Sequence, residues 1–174
     1  MDYKRLLRSF VVLPGTALLL IPVLIIGFSR GSEWVSSLAK PNQAQFWLGS
    51  LAGILGIWLA LASVSTMMRY GEGTPAPWDP TRRLVFHGPY RYVRNPMMIG
   101  VLLILLAEAL LLQSWGIAIW FGVFLLLNLI YLPRVEEKGL ERRFGEAYRQ
   151  YKVNVPPWIP RTRPWEGPEP TKHV

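Results

Sequence analysis

The chain has 174 residues, of which 51% are hydrophobic and 17% charged, and its formal net charge is +8. This length corresponds to one domain, and the charged share is too low for the surface of a typical soluble protein. The absence of cysteine excludes disulfide scaffolds, thiolate metal sites and cysteine nucleophiles, and with only two histidines the sequence predicts no metal site.

Four apolar stretches approach the length of a membrane-spanning helix, which needs about 20 residues to cross roughly 30 Å of hydrocarbon. Only Gln113 and Ser114 separate the last two stretches, so these should form a tight antiparallel hairpin. The sequence therefore predicts an all-α integral membrane bundle of four transmembrane helices. The predicted helices are 10–28, 46–68, 97–112 and 115–132.

The first stretch also has features of a secretory signal peptide. Met1 to Arg8 is positively charged, and Gly27-Phe28-Ser29 has the small-x-small pattern of a cleavage site. The apolar run is longer than the roughly 7 to 15 residues of such signals. We therefore interpret it as a membrane helix that is retained.

Basic residues are distributed unevenly between the segments that flank the predicted helices. When alternate segments are assigned to one side, 17 Lys and Arg lie on that side and 2 on the other. The positive-inside rule then predicts an integral, multi-pass membrane protein with both termini in the cytoplasm. The basic residues would lie near anionic headgroups, and no strand-borne aromatics for RNA binding occur. The predicted partner is the lipid bilayer and not nucleic acid.

The loop before the third helix is dense in polar and aromatic side chains. Its last part, HGPYRYVRNPMMIG, contains one histidine, two tyrosines, two arginines and an asparagine. Asn95 is a good N-cap residue and Pro96 suits the first helical position. A helix that begins here would present unpaired N–H groups beside Arg91 and Arg94, which suits a carboxylate or phosphate ligand.

These residues also have structural explanations. Asn95 could serve only as a helix cap, Arg91 and Arg94 could be ordinary membrane anchors, and His87 could be a capping or surface residue. The residues alone leave these alternatives open.

A second dense segment, PRVEEKGLERRFGEAYRQYKVNVPPWIP, follows the fourth helix. Leu140, Phe144, Tyr148 and Tyr151 are spaced to form one apolar stripe of a helix, and basic residues surround them. This pattern predicts an amphipathic helix over about 134–152 that lies against the inner face of the membrane.

Prolines set the expected end of the domain. Pro156 and Pro157 should stop the amphipathic helix, because proline lacks the N–H that a helix needs. We expect residues 1–160 to form a single domain and the proline-rich tail 161–174 to be disordered.

Glu136 and Glu137 are unusual, because they lie in a compartment that is otherwise dominated by positive charge. Adjacent helical residues point about 100° apart, so both cannot face the same ligand. Each could pair with Arg134, Lys138 or Arg91 in a surface ion pair worth about 0 to 1 kcal/mol. Alternatively, one of the two carboxylates binds a ligand.

The two dense segments together resemble a known family. GPYRYVRNP opening a membrane helix, the helical hairpin, and then VEEKGLERRFGEAYRQY and VPPWIP are similar to the superfamily of isoprenylcysteine carboxyl methyltransferases and phospholipid N-methyltransferases. The similar region runs over about 84–160. The resemblance implies an integral membrane enzyme that binds S-adenosylmethionine in a pocket open to the cytoplasm. The last two membrane helices, the loop before them and the segment after them would form that pocket.

On matching positions, the resemblance implies two catalytic residues, Arg94 and Glu137. The carboxyl methyltransferase branch reads Arg-His-Pro-x-Tyr where this chain reads RNPMM, and an Asn-Pro-Met form is similar to the phospholipid N-methyltransferase branch. The acceptor therefore stays open. The residues that the resemblance assigns to cofactor binding are His87, Gly88, Tyr90, Arg91, Tyr92, Arg94, Asn95, Pro96, Gly100, Glu136 and Glu137.

The chemistry of methyl transfer agrees with this interpretation. The reaction needs aligned reactants and excluded water more than it needs a metal. A carboxylate such as Glu136 or Glu137 suits the ribose hydroxyls or amino group of the cofactor, and Arg91 or Arg94 suits its carboxylate.

We therefore predict an S-adenosylmethionine-dependent methyltransferase that acts on a lipid-like or isoprenylcysteine-like acceptor at the cytoplasmic face. Three alternatives remain, namely a phospholipid N-methyltransferase, an NADPH-dependent membrane reductase of the sterol-reductase type and a non-enzymatic membrane scaffold. The sequence does not distinguish O-, N- and S-methylation, and it gives no oligomeric state.

Overall fold

The structure is a computed structural model that describes residues 15–29, 37–73 and 81–167. All regular elements in these ranges are helices. A π-helical turn joins the fourth helix to the fifth, and a short 3₁₀ turn precedes the third. The elements are α1 (Thr16–Phe28, which begins as a π-helical turn), α2 (Ala44–Gly71), the 3₁₀ turn (Gly88–Arg91), α3 (Pro96–Leu111), α4 (Trp115–Tyr131), the π turn (Leu132–Glu136) and α5 (Glu137–Asn154).

The observed bounds of α2, α3 and α4 lie within three residues of the predicted stretches. The hairpin between α3 and α4 is as tight as expected. Gln113 adopts φ 44°, and the Ser114 hydroxyl accepts a hydrogen bond from the Ile117 N–H and so caps α4. The predicted first helix ends at Phe28 as expected, whereas its residues 10–14 lie outside the described residues.

Two helical runs are long and apolar enough to cross a membrane, namely Ala44–Gly71 and Trp115–Asn154. The apolar helices α1 and α3 are shorter than this criterion requires. The prediction of an all-α fold is confirmed for the described part of the chain, and two of its four predicted spans meet the length criterion.

Small residues bring α2 and α3 into direct backbone contact. A Cβ atom added at Gly56 would lie 2.8 Å from the Gly100 carbonyl oxygen, and one added at Gly100 would lie 2.9 Å from the Ala60 nitrogen. Small residues at such interfaces allow helices to pack closely in a membrane. Close packing matters there because no hydrophobic driving force brings the helices together. This contact lies in the second turn of α3, close to the end of the polar loop.

The helix α5 folds back on itself at Gly145. That residue has φ 54° and ψ −128°, which are non-helical values that favour glycine. Lys152 Nζ lies 3.2 Å from a carboxylate oxygen of Glu137 and 3.2 Å from one of Glu141. In a straight helix, residues 15 positions apart would be separated by about 22 Å. The chain therefore departs from the single straight amphipathic helix predicted over 134–152.

The fold-back creates a small aromatic core against which Trp165 packs. Tyr148, Tyr151 and Val155 are buried there, and the ring of Trp165 lies 5.5 Å from that of Tyr151. Residues 161–167 thus differ from the disorder expected of the tail, because Trp165 gains buried apolar area against this core. The last part of the tail, 168–174, lies outside the described residues. The partly buried residues that complete the core are Leu84, Phe86, Leu140, Phe144 and Trp165.

Candidate functional site

The loop before α3 is held in place by the segment that follows α5. The Arg94 N–H donates to the Pro156 carbonyl at 2.9 Å, and the Arg161 N–H donates to the Tyr92 carbonyl at 3.0 Å. The Tyr151 hydroxyl donates to the Tyr90 carbonyl at 2.8 Å. Prolines in the C-terminal segment cannot continue a helix, so their carbonyls stay available for such contacts. The structure thus brings together the two segments that the sequence singled out.

Arg91 and Asn95 are fixed by the same segment. Arg91 exchanges two hydrogen bonds with the Trp165 backbone, since its Nε donates at 2.8 Å and its carbonyl accepts at 3.0 Å. The Asn95 side chain donates to the Pro157 carbonyl at 3.0 Å. Asn95 occupies the N-cap position of α3 and Pro96 begins the helix, but the Asn95 side chain makes no capping hydrogen bond. The capping role considered for Asn95 is therefore wrong, because its amide is used in a tertiary contact.

Arg94 and Glu137 form an ion pair in the interior of the site. Arg94 Nη2 lies 3.1 Å from Glu137 Oε1, and the two side chains are only 8% and 7% exposed. Lys152 Nζ lies 3.2 Å from the other oxygen, Glu137 Oε2. Both oxygens of Glu137 therefore already have cationic partners, which differ from the partners considered on sequence grounds.

The Arg94 guanidinium keeps two nitrogens without a partner. Its Nε and Nη1 are buried and have no hydrogen bond to any described residue. A buried donor without an acceptor costs about 1 to 3 kcal/mol, so folded proteins rarely leave one unmatched. Two such donors on one cation, beside a helix N-terminus, are suited to a negatively charged oxygen ligand.

Glu136 is not a member of these ion pairs, and neighbouring helical residues point about 100° apart. Its side chain is accessible to solvent, yet desolvation by surrounding protein and the charge of Glu137 raise its pKa. Burial raises the pKa of the Tyr90 hydroxyl, and the charge of Glu136 raises it further. Glu136 is therefore an accessible carboxylate whose charge acts on Tyr90 in the loop before α3.

His87 lies in an aromatic stack at the end of α2. Its ring is parallel to that of Tyr70 at a centroid distance of 4.1 Å, and Phe86 stacks on it at 4.9 Å. His87 Nδ1 is buried and has no hydrogen bond to the described residues. Gly88 follows with φ 53°, and a Cβ atom there would lie 2.8 Å from the Thr66 hydroxyl oxygen. Glycine is therefore needed where the loop approaches α2.

Gly100 has a structural function that the sequence did not reveal. The glycine is buried where α3 crosses α2, and its surroundings are Gly56 and Ala60. The contacts of Gly100 are thus helix-packing contacts rather than contacts to the polar loop.

A largely apolar cleft of about 510 Å³ lies between α2 and the loop. Tyr92 stands at this cleft and is 37% exposed. Sequence reasoning missed the contribution of α2, since Trp58, Leu59 and Ala62 look like ordinary residues of a membrane helix. The lining residues are Trp58, Leu59, Ala62, Gly88, Pro89, Arg91, Tyr92, Val93, Ile99 and Pro160.

The family model described as "Phospholipid methyltransferase" matches residues 44–147, which is more than half of the chain and includes every residue predicted for the site. The chain belongs to the phospholipid methyltransferase family. The resemblance found in the sequence is thereby confirmed. Comparison with curated proteins and with solved structures gives no match.

Membership in the phospholipid methyltransferase family, together with the two long apolar helices, indicates a membrane methyltransferase. The family match ends at residue 147. Lys152 and the segment 155–165, which hold Glu137 and the loop in place, lie beyond the matched region.

Proposed function

We propose that this member of the phospholipid methyltransferase family transfers a methyl group from S-adenosylmethionine to a lipid-like acceptor at the cytoplasmic face of the membrane. The single observation that supports the cofactor most directly is the pair of unpartnered, buried nitrogens on Arg94. When bound, S-adenosylmethionine supplies a methyl group that its positive sulfur has already activated for transfer.

Two residues would contact the cofactor, and a third would position one of them. The free Nε and Nη1 of Arg94 suit its carboxylate through charge-assisted hydrogen bonds. The accessible carboxylate of Glu136 suits its ribose hydroxyls or its amino group. Glu137 acts as a positioning residue, because its oxygens hold Arg94 on one side and Lys152 on the other. In this proposal, Glu136 is the glutamate that faces the cofactor.

The apolar cleft between α2 and the loop suits the hydrocarbon part of the acceptor. Trp58 and Leu59 offer an apolar wall, and Arg91 at the same cleft suits an anionic group of the acceptor. The family match favours a phospholipid acceptor, so we propose a phospholipid N-methyltransferase first. An isoprenylcysteine-like acceptor is the second candidate.

We also propose that all four apolar helices cross the membrane and that both termini are cytoplasmic. The helices α3 and α4 are joined by a three-residue connection with Gln113 at its centre, and the strong excess of basic residues on one side supports the orientation. In this arrangement the site lies at the cytoplasmic surface.

The proposal is tested by thermal unfolding of the purified protein in detergent with S-adenosylmethionine, S-adenosylhomocysteine or NADPH added separately. A ligand that binds the folded state raises the melting temperature. We expect stabilisation by the first two compounds and none by NADPH, and then labelled methyl transfer to a phospholipid. Stabilisation by NADPH alone would favour the reductase, and no stabilisation by any of the three would favour the scaffold.

A further inference from the structure

The exposed side of α4 is a continuous apolar surface. Ile119, Val123, Leu126 and Ile130 are all large, hydrophobic and exposed. Contiguous exposed apolar surface of this kind requires a hydrocarbon environment or a partner. In a chain of a membrane family, this side of α4 faces lipid.

The helical run continues beyond the end of α4. It continues through the π turn Leu132–Glu136 into α5, and Arg134, Lys138 and Arg142 then follow Ile130 at intervals of four residues. All three basic side chains are exposed. We refer to these three residues as the basic stripe.

The π turn brings the basic stripe onto the lipid-facing side. In a regular α-helix each step of four residues rotates by about 40°, so four steps from Leu126 to Arg142 would rotate by about 160°. A π turn holds about one more residue than an α turn, which subtracts about 100° and leaves about 60°. The basic stripe therefore continues the exposed apolar surface of α4 instead of turning to the opposite side.

The basic stripe also differs in its pairing from four other cations of the chain. Arg83, Arg94, Arg149 and Lys152 each form an ion pair with a glutamate. In contrast, the side chains of the basic stripe form no ion pair or hydrogen bond with any described residue. Three unpaired positive charges on one helix side are available to an anionic partner and attract it electrostatically.

We propose that Arg134, Lys138 and Arg142 form a binding surface for anionic phospholipid headgroups of the leaflet in which α4 ends. Along the helix axis these residues lie about 6, 12 and 18 Å beyond Ile130. The headgroup layer is about 5 to 8 Å thick, and long basic side chains extend toward it. Arg142 then lies within about a Debye length of the layer. This inference does not depend on methyl transfer.

The test uses the full-length protein purified in detergent, with phosphatidylglycerol and phosphatidylcholine added in equal amounts, and measures bound lipid by native mass spectrometry. The stripe variant is R134Q/K138Q/R142Q. A matched control, R83Q/R149Q/R163Q, removes three exposed arginines elsewhere and lowers the net charge from +8 by the same amount.

We expect wild type and the matched control to prefer phosphatidylglycerol, and the stripe variant to lose at least about tenfold of that preference. Raising the salt concentration should weaken the preference of wild type. The proposal is overturned if wild type shows no preference, or if the stripe variant and the control lose it equally. The variant R134K/R142K, which keeps the charge, should behave like wild type, and its loss of preference would also contradict the proposal.

Discussion

Removing either member of the ion pair between Arg94 and Glu137 should lower the free energy of unfolding, but by unequal amounts. Replacing Glu137 with leucine leaves the buried Arg94 guanidinium without a carboxylate, and breaking a buried pair in this way costs about 3 to 5 kcal/mol. Replacing Arg94 with methionine costs less, about 1 to 3 kcal/mol, because Lys152 still lies 3.2 Å from Glu137. We therefore expect Glu137→Leu to be the more destabilising of the two changes.

The double variant R94M/E137L gives the sharpest form of this prediction. Both buried charges are then absent, and apolar replacements of similar volume can be nearly neutral. Lys152 keeps Glu141 as a partner at 3.2 Å. Adding Arg94→Met to Glu137→Leu should thus restore about 2 to 4 kcal/mol.

The free energies of unfolding are measured by reversible denaturation in mixed detergent micelles, followed by tryptophan fluorescence and circular dichroism. The exposed pair Arg149–Glu146 serves as a control, with an expected coupling below about 1 kcal/mol. The reasoning is refuted if the two single variants cost the same, or if the double variant is as unstable as the sum of the singles.

Three further predictions use the same unfolding assay. Gly56→Ala places a Cβ atom 2.8 Å from a backbone oxygen and should cost about 1 to 3 kcal/mol, whereas Gly122→Ala in open space should change stability by less than about 1 kcal/mol. Gly145→Ala should cost about 1 to 3 kcal/mol, because φ 54° and ψ −128° strain a residue with a Cβ atom, and equal stability would show that the fold-back does not need glycine. Burial raises the pKa of Tyr148 above its ordinary value of 10.0, so the unfolded state loses that proton first and stability should fall above about pH 10. Tyr148→Phe should make that fall shallower, and an identical pH dependence would contradict the assignment.

The sequence predicted the helices better than the way they fold together. Apolar length sets the bounds of α2, α3 and α4, and the short Gln113–Ser114 break sets the hairpin. The fold-back at Gly145 was missed, because the spacing of Leu140 and Tyr148 fits a straight helix equally well. Only the contact between the two halves of α5, which is tertiary, reveals the turn.

The pairing of the candidate site residues was not predicted. Arg94 and Glu137 were both singled out, yet their mutual ion pair depends on how α3 and α5 meet. The proline-rich composition of the tail favoured disorder, whereas Trp165 anchors part of the tail against Tyr151 and Phe86. The contribution of Trp58 to the cleft had no local signal, since a tryptophan is common in an apolar helix.

The central claim is that the free nitrogens of Arg94 bind the cofactor, and the most direct test is the affinity of the detergent-solubilised protein for S-adenosylhomocysteine by isothermal titration calorimetry. Arg94→Lys keeps a positive charge for Glu137 but lacks the planar guanidinium. Arg83→Lys, at an exposed arginine, is the control. We predict binding by wild type and by the control, with affinity at least about tenfold weaker in Arg94→Lys. Equal affinity in all three proteins, or no binding by wild type, would contradict the account.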